Sequence, residues 1–192
     1  MSTQPSDVDR LPVHLAGPRV RLVPPDPELH LDNYVRWFND GEVSQWLSEF
    51  KPMSRMAERA WFEGLAERKR DFVWAVHDET GRHIGATGIH AVHWRDRRAI
   101  TGIVIGERSA WGKGYGTEVM RVRTRWAFEE LGLHRLESEC FVDNVGSATC
   151  LARAGYRQVG VARKRRWRHG SWRDCVLWEL LAEDWLAAQP SP

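Results

Sequence analysis

Cysteine is scarce in this chain of 192 residues, which contains only Cys140, Cys150 and Cys175 and no Cys-x-x-Cys pair. An odd number of widely spaced cysteines does not suit a disulfide framework and is typical of reduced thiols. The sequence therefore predicts a protein of a reducing compartment, and we expect a cytoplasmic location.

Long apolar runs are also missing, and none approaches the roughly 18 residues that a membrane-spanning helix requires. The segment from Met1 to Val13 is polar, contains Pro5 and Pro12, and lacks the basic start and apolar centre of a signal peptide. We therefore expect no membrane partner, a disordered tail over residues 1–15 and a single domain over residues 16–187.

A large net charge is absent as well, because the formal charge at pH 7 is only +2. The charges are nevertheless unevenly distributed. Residues 26–63 contain eight acids and four bases, whereas residues 151–175 contain eight bases and one acid. The sequence thus has an acidic region near its start and a basic region near its end.

Alternating and helical patterns follow one another along the chain without an internal repeat or a linker. Alternation predicts strands at 20–23, 72–76, 84–89, 100–105 and 136–142, and two more between Tyr156 and Trp185 around a turn at His169-Gly170. Apolar spacing predicts helices at 29–38, near 43–47, after Ser54, at 117–131 and at 144–154. This order predicts a mixed α+β sheet and not a regular doubly wound one.

A glycine-rich turn, Trp111-Gly112-Lys113-Gly114-Tyr115-Gly116, connects the strand at 100–105 to the helix at 117–131. The first N–H groups of a helix have no partner within the helix, and the helix dipole adds partial positive charge there. Glycines leave out the side chains that would keep a phosphate away, and Lys113 adds a positive charge. The turn therefore predicts a site for a phosphate or pyrophosphate.

Two familiar phosphate-binding patterns do not fit this turn. A P-loop requires Ser or Thr after Gly-Lys, whereas Gly114 follows Gly112-Lys113. The dinucleotide fingerprint requires a glycine or alanine where this chain has Thr117. Glu137 lies at a suitable distance for a ribose-binding acid, but the turn follows an expected antiparallel set, which is the wrong context for that fold.

The turn resembles motif A of the GNAT superfamily of N-acetyltransferases, in which Gln or Arg is followed after two residues by Gly-x-Gly or Gly-x-Ala. Trp111 stands where Gln or Arg is usual, and the form Trp-Gly-Lys-Gly-Tyr is characteristic of the RimJ/RimL-like branch. Further segments resemble that branch in the same order and at the same spacing: residues 39–43 and 61–63 its first helices, residues 144–147 and 154–156 its motif B, and residues 169–174 its closing hairpin.

This resemblance implies a GNAT-type α+β fold, with a mixed, mostly antiparallel central sheet flanked by helices. It also implies an N-acetyltransferase that uses acetyl-CoA as co-substrate and no metal. Main-chain groups of Ile103, Val104 and Ile105 would pair with the pantetheine arm like an added strand. The turn from Trp111 to Thr117 would hold the pyrophosphate.

Three residues of the motif B region have implied roles in the same resemblance. Asn144 would bond the pantetheine arm, Ser147 would lie near the thioester sulfur, and Arg153 would approach the adenosine end. Asn144 also has a simpler interpretation, because asparagine is favoured at helix N-caps without any ligand.

Three usual catalytic residues of the superfamily are missing from this chain. Leu151 stands where many relatives carry Tyr, and Thr101 stands where others carry Glu. Arg165 or Arg166 replaces a Glu that precedes the final hairpin turn in some relatives. Aminolysis of a thioester needs a base for the ammonium proton and an acid for the departing thiolate. Ser147 is shared with the branch, and its hydroxyl is suited to hydrogen-bond the departing sulfur.

Candidate bases are Glu107, Glu137, Glu139, His90 and His93, acting directly or through water. Glu137 and Glu139 share one face of their strand, where ion-paired carboxylates are also expected. His90 and His93 point to opposite faces of a strand, so a shared metal site is not expected. Each histidine alone is also typical of a partly buried structural residue.

A covalent acetyl-enzyme is the less favoured route. Cys140 or Cys150 would be its nucleophile, yet the sequence shows no base paired with either thiol. The resemblance instead implies direct attack of the amine within a ternary complex.

The acceptor is expected to be a primary amine of a protein N-terminus, a polyamine or a small molecule. In the family the early helices shape the acceptor pocket, and here they are acidic and carry Trp37, Phe38, Trp46, Trp61 and Phe62. Acids with aromatic faces favour a cation, although aromatic residues at helical spacing are also typical of core packing.

Two other functions stay open at this point. The missing Tyr and Glu would suit a CoA-binding regulator without catalysis. The basic hairpin over residues 163–173 would suit a nucleic-acid or ribosome-associated binding module, although it is also typical of a solvated hairpin. A homodimer is a further option, because relatives are often dimers and exposed tryptophans would support one.

Overall fold

The computed structural model describes residues 12–188, whose eight strands form one sheet. The strands are β1 (Leu15–Ala16), β2 (Val20–Val23), β3 (Phe72–Asp78), β4 (His83–His93), β5 (Arg98–Ile105), β6 (Arg135–Phe141), β7 (Arg157–Arg168) and β8 (Ser171–Leu181). Their order is β1-β2-β3-β4-β5-β6-β8-β7, and only the pairing of β5 with β6 is parallel. The prediction of a mixed, mostly antiparallel sheet is confirmed.

Six α-helices in this part of the chain flank the sheet: α1 (Pro27–Asn39), α2 (Gly41–Ser44), α3 (Arg55–Glu63), α4 (Tyr115–Glu129), α5 (Val145–Arg153) and α6 (Ala182–Ala187). Asp26, Ser54 and Asn144 are N-caps whose side chains accept main-chain N–H groups of α1, α3 and α5. Between residues 12 and 188, no helix has both the length and the apolar character that crossing a membrane requires.

The structure differs from two expected boundaries. β8 ends at Leu181, so Trp185, which we expected at the end of a strand, lies in α6. Glu183 and Asp184 in the first turn of α6 favour a helix start there. Of the expected tail, residues 1–11 lie outside the described residues, while Leu15 pairs with Leu22 in β1, a strand too short for a sequence pattern.

Apolar side chains pack on both sides of the sheet. On one side, termed the α4 face, α4 covers a core that includes Trp74 and Leu136. On the other side, termed the α1 face, α1 and α3 enclose an aromatic cluster around Tyr34, Trp37 and Phe62. Trp37 is 1% exposed and Phe62 is 6% exposed, which confirms the packing interpretation for these two residues.

β5 and β6 separate soon after they meet. Their parallel pairing joins Arg98–Ile100 to residues 135–137, although both strands continue for several residues. Two hydroxyls bridge the end of this pairing, since Thr101 Oγ1 donates to the carbonyl of Glu137 and Ser138 Oγ donates to the carbonyl of Thr101, both at 3.1 Å. The end of this pairing is termed the apex. Beyond the apex, a gap termed the split separates residues 101–105 of β5 from residues 138–141 of β6.

Candidate active site

The main chain of β5 presents hydrogen-bonding groups to the split. At the two ends of this stretch, the carbonyl of Thr101 accepts from a β6 hydroxyl, and the carbonyl of Ile105 accepts from Trp111 Nε1 at 2.6 Å. The carbonyl of Gly102 points instead towards β4, where it accepts from a threonine hydroxyl at 2.9 Å. Because main-chain groups alternate along a strand, the N–H and carbonyl of Ile103 face the split between the two occupied carbonyls.

Because main-chain groups alternate in direction along β5, only two of the three residues expected to pair with pantetheine turn their main-chain groups towards the split. The carbonyl of Val104 lies next to β4, so close that a Cβ placed on Gly85 would be 2.2 Å from it. Main-chain groups of Ile103 and Ile105 therefore face the split, whereas those of Val104 face β4. The Val104 side chain packs against the aromatic cluster on the α1 face.

The glycine turn has the geometry of an anion cradle. Gly112 and Gly114 have φ angles of +74° and +86°, a conformation that favours glycine. Gly114 is the N-cap of α4 and supplies no side chain to its first turn. The first N–H groups of α4, from Tyr115 to Thr117, therefore have no partner within the helix, and exposed Lys113 lies beside them.

Side chains of the surrounding elements hold this turn in place. The buried Tyr115 side chain donates its hydroxyl hydrogen to the Glu79 carboxylate at 2.9 Å, so this hydroxyl already has a hydrogen-bond partner. Arg19 donates to the carbonyl of Lys113 at 3.0 Å and pairs with Glu118 at 3.1 Å. Tyr115 can therefore contribute its main-chain N–H to an anion, while its side chain fixes the turn.

A cavity of about 480 Å³ adjoins the turn beside Gly114. Four arginines line it, from the β1–β2 loop, α4 and the end of α5: Arg19, Arg121, Arg125 and Arg153. Arg121 donates to the carbonyl of Arg153 at 2.7 Å, which joins α4 to α5. Sequence reasoning selected only Arg153, although the i, i+4 spacing of Arg121 and Arg125 is a signal that they share one helix face.

Helix α5 lies close to the same turn. A Cβ placed on Gly116 would be 3.1 Å from Cys150 Sγ, so α4 and α5 are in near contact. Asn144 Oδ1 accepts the main-chain N–H of Ser147 at 3.0 Å, which is the capping role considered above. Ser147 also lies close enough to Cys140 on β6 to lower the pKa of its thiol. Asn144 and Ser147 therefore lie where β6 borders the split.

Two of the three thiols are held in their neutral form. Burial raises the pKa of Cys140, although the neighbouring Trp178 and Ser147 oppose this effect. Burial also raises the pKa of Cys175 on the adjacent strand β8. Because the thiolate is the nucleophilic form, neither thiol is activated for attack on a thioester.

Two of the three candidate carboxylates, Glu107 and Glu137, lie at opposite ends of β5. Glu107 follows the end that leads to the glycine turn, where Arg36 Nη2 donates to it at 3.1 Å. Burial raises the pKa of this carboxyl, but hydrogen bonds from Arg36 and Ser109 outweigh that effect and hold it below its usual value.

Glu137 lies at the apex, because it pairs in register with Ile100 of β5. Arg135 Nε donates to Glu137 at 2.8 Å, and Arg98 lies 3.8 Å away. About 17 Å of extended strand separates positions 100 and 105. Glu107 and Glu137 therefore cannot both contact one reacting thioester.

Most arginines of the basic hairpin form hydrogen bonds or ion pairs with other groups of this chain. Burial raises the pKa of Glu139, but the hydrogen bonds that it accepts from Arg166 and Arg165 outweigh this effect and hold the pKa below its usual value. Arg168 donates to two carbonyls in the loop after α2, and Arg173 pairs with an aspartate before α5. These four arginines therefore fix the hairpin against the rest of the structure.

His90 and His93 lie on either side of a register shift between β4 and β5. The His90 ring lies over Gly88, on which a Cβ would be 2.3 Å from Nε2, and His90 Nδ1 faces Asp71 Oδ2 at 3.8 Å. His93 Nδ1 faces an aspartate of the following turn at 3.1 Å. The two histidines do not share a site, and no group of three or more His, Cys, Asp or Glu side chains in residues 12–188 is placed to hold a metal ion.

One acid of the early helices is buried within the aromatic cluster. Glu58 is 2% exposed, and burial, with a contribution from Glu49, raises its pKa to about 7. Its Oε1 and the Tyr34 hydroxyl are buried without a hydrogen-bond partner. Composition alone grouped Glu58 with exposed acids such as Glu28, and only the packing of α3 against α1 separates them.

Known proteins are similar to this chain over most of its length. The family model described as acetyltransferase (GNAT) domain matches residues 19–157. The uncharacterized N-acetyltransferase YoaA of Bacillus subtilis is 30% identical over 122 residues, which cover 62% of this chain and 68% of YoaA. The uncharacterized N-acetyltransferase p20 of Bacillus licheniformis is 25% identical over 162 residues, which cover 80% of this chain and 88% of p20.

Solved structures share the fold. A putative acetyltransferase from T. thermophilus is 27% identical, with a TM-score of 0.75 over 97% of this chain and 95% of that chain. A spermidine N-acetyltransferase from Vibrio cholerae, in complex with CoA and spermine, has a TM-score of 0.82 over 88% of this chain and 99% of that chain, and its 16% identity shows the fold alone. Since the family model covers well over half of the sequence, this chain belongs to the GNAT family and is an N-acetyltransferase.

Proposed function

We propose that this protein transfers the acetyl group of acetyl-CoA to a primary amine by direct attack within a ternary complex. One observation carries the proposal, namely the open main chain of Ile103 in the split, which leads directly to the glycine turn. An extended pantetheine arm would pair there as an added strand. Its pyrophosphate would then meet the N–H groups of Tyr115–Thr117.

The arginine-lined cavity beside Gly114 suits the charged end of the same molecule. Arg153 would approach the adenosine end, and Arg121 and Arg125 would add positive charge for its phosphate. This assignment extends the role expected for Arg153 to two neighbours on α4.

The acyl end of acetyl-CoA would lie at the apex. With the pyrophosphate at the glycine turn, the arm would run back along Ile105 and Ile103 towards Gly102. Ser147 would hydrogen-bond the departing sulfur from the β6 side. Asn144 would donate to the arm, because its capping bond uses the side-chain oxygen and leaves the amide N–H groups.

Among the carboxylates, Glu137 suits a role in proton transfer better than Glu107 does. Glu137 lies at the apex, near the expected position of the thioester, whereas Glu107 lies near the pyrophosphate end and binds Arg36. A catalytic role for Glu107 would require the amine to reach the far end of β5.

The RimJ/RimL-like branch and the acceptor class belong to the same proposal. Trp111 supports the branch, since it belongs to the Trp-Gly-Lys-Gly-Tyr form of the turn and its Nε1 donates to the carbonyl of Ile105. A polyamine, a protein N-terminus and a small-molecule amine are the three acceptor classes. Polyamines are the first to test, since a fold neighbour is a spermidine N-acetyltransferase.

Free-thiol release tests the proposed function. Purified protein is incubated with acetyl-CoA and a panel of spermidine, N-terminal peptides and small primary amines, and CoA binding is measured by calorimetry. We expect CoA binding and thiol release with at least one amine. Binding without turnover on every amine would support a CoA-binding regulator instead. Salt-dependent RNA binding without CoA binding would support the nucleic-acid-binding module instead. The structure disfavours that module, because four arginines of the hairpin already bind groups within the chain.

A further inference from the structure

We propose that His90 accepts the proton of the incoming amine, a role that rests on the proposed acetyl transfer. His90 pairs with Ile100 across β4 and β5, and Ile100 pairs with Glu137 across β5 and β6, so the three residues form one row at the apex. The row lies on the α1 face. The His90 side chain is 39% exposed, so an amine can reach it.

Two glycines form a platform for the imidazole. Gly88 and Gly102 are partners in register on β4 and β5. A Cβ on Gly88 would be 2.3 Å from Nε2 of His90, and one on Gly102 would be 3.8 Å from it. The ring therefore leans over Gly102, the position at which the thioester of acetyl-CoA is expected. A side chain at position 88 would displace it.

Asp71 lies beside the imidazole and holds the backbone that carries it. Its Oδ2 faces Nδ1 of His90 at 3.8 Å, and its Oδ1 accepts the main-chain N–H of Ala91 at 2.9 Å. Ala91 has a φ angle of +51°, a left-handed conformation that is strained for alanine, at the register shift that follows His90. Bulges of this kind redirect side chains beside active sites, and here the bulge is fixed by the carboxylate that lies beside the ring.

The surroundings keep His90 neutral, and therefore able to accept a proton, at pH 7. Burial lowers the pKa of His90, Asp71 opposes this effect, and the positive charges of Arg123 and Arg68 lower the pKa further. Glu137, the other titratable residue of the row, already accepts from an arginine at 2.8 Å.

The reaction step balances with His90 as the acceptor of one proton. Nε2 takes a proton from the ammonium, and the freed nitrogen lone pair forms a bond with the acetyl carbon. The carbon–sulfur bond breaks, and its electron pair leaves on the sulfur that Ser147 hydrogen-bonds. The second amine proton passes to this sulfur, so the products are an acetamide, the CoA thiol and one proton released from His90.

The test compares His90→Gln with His93→Gln. His93 has the same 39% exposure and also faces an aspartate, but it lies beyond the register shift. For the best amine of the panel, kcat/KM is measured from pH 5.5 to 9, with CoA affinity and thermal unfolding as controls. We expect His90→Gln to lower kcat/KM at pH 7 by roughly 10²- to 10⁴-fold, the usual contribution of a general base. CoA affinity is expected to stay unchanged, and His93→Gln to match the wild type.

The pH profile separates proton transfer from a structural role. The wild-type rate is expected to rise with pH as His90 loses its proton, with a midpoint below the ordinary histidine pKa of about 6.5, and His90→Gln is expected to lack this rise. Hydroxylamine, which is already uncharged at pH 7, is expected to reduce the defect of the variant.

Should His90→Gln misfold, Gly88→Ala serves as the second variant, since it displaces the ring without removing it. Wild-type kcat/KM and pH profile in the folded variants would overturn the His90 proposal alone, whereas no turnover by the wild type would overturn it together with the proposed function.

Discussion

The split and the α1 face differ in what they offer to a ligand. The split offers main-chain groups of Ile103 and of the first turn of α4, which the glycine turn leaves free of side chains. The α1 face offers side chains, such as His90, whose positions depend on partners far away in sequence. The difference teaches that a local sequence motif can predict the proposed cofactor site, whereas the proposed acceptor site depends on tertiary contacts.

On the α1 face, a chain of hydrogen bonds between buried histidines also depends on residues that are far apart in the sequence. His30 Nδ1 accepts the main-chain N–H of Asp26 at 2.8 Å, so its Nε2 donates to His77 Nε2 at 3.0 Å. His77 Nδ1 then donates to the carbonyl of Gly81 at 2.8 Å. Each ring has one donor and one acceptor in use, so the chain of hydrogen bonds requires neutral histidines.

The largest effect is expected from removing the main-chain cradle. Gly114→Val places a branched side chain at a φ angle of +86°, where the pyrophosphate would lie. We expect the Kd for CoA, measured by calorimetry, to rise by at least about 100-fold, or roughly 2.7 kcal/mol. Gly132→Val is the matched control, because Gly132 also has a positive φ angle, +61°, but lies at the other end of α4. Unchanged CoA affinity in folded Gly114→Val would show that the turn is not the cradle.

Acid is expected to loosen the α1 face before it affects the split. Burial, with the charge of His77, lowers the pKa of His30 to about 4, and burial lowers the pKa of His77. Because the unfolded chain binds these protons from about pH 6.5 downwards, stability is retained above that pH and lost as the pH falls towards 4, by up to about 1.4 kcal/mol per pH unit for His30, and His77 adds to this loss. Urea unfolding at pH 7, 6 and 5 measures the loss.

His30→Gln tests whether this chain of histidines is the cause. The variant removes one titrating ring, so the drop in stability between pH 7 and 5 is expected to be smaller than in the wild type. An equal drop in both proteins would place the acid sensitivity elsewhere.

A smaller effect separates the two roles of Asn144. Asn144→Asp keeps an oxygen that caps α5 but removes the amide donor expected for the pantetheine arm. We expect an unchanged melting temperature and a Kd for CoA that is about tenfold higher, the equivalent of roughly 1.4 kcal/mol. A Kd equal to that of the wild type would leave Asn144 with its capping role alone.

The smallest effect is expected on the basic hairpin. Arg163 and Lys164 are exposed, whereas the neighbouring Arg165 and Arg166 bind Glu139. The double variant Arg163→Gln, Lys164→Gln is expected to keep acetyl transfer within about twofold of the wild type, as is usual for exposed charges. A large loss on a peptide acceptor but not on a small amine would instead indicate that the hairpin binds the acceptor.

Local signals explain which parts of the fold could be predicted from the sequence. The caps Ser54 and Asn144, the alternation in β5 and the glycine turn each lie within a few residues, and each predicted its element. The short strand β1 exists only because Leu15 pairs with Leu22, and it has no pattern of its own. The sequence pattern predicts strand where α6 lies, because Trp185 continues the apolar run of β8.

Non-local contacts explain what could not be predicted at the candidate site. Nothing near Arg123 in the sequence shows that this arginine is buried and donates to the carbonyl of Gly102. The arginine partners of Glu107 and Glu137, and the burial of Glu58, likewise arise from strands and helices brought together by the fold. Residue type alone therefore could not rank the candidate bases.

Amide hydrogen exchange tests most directly whether acetyl-CoA occupies the split. Exchange is followed residue by residue with and without saturating CoA. The account predicts slower exchange at Ile103 and at the first N–H groups of α4, from Tyr115 to Thr117, with no change in β2 and β3. CoA binding that leaves the exchange of Ile103 unchanged would contradict it.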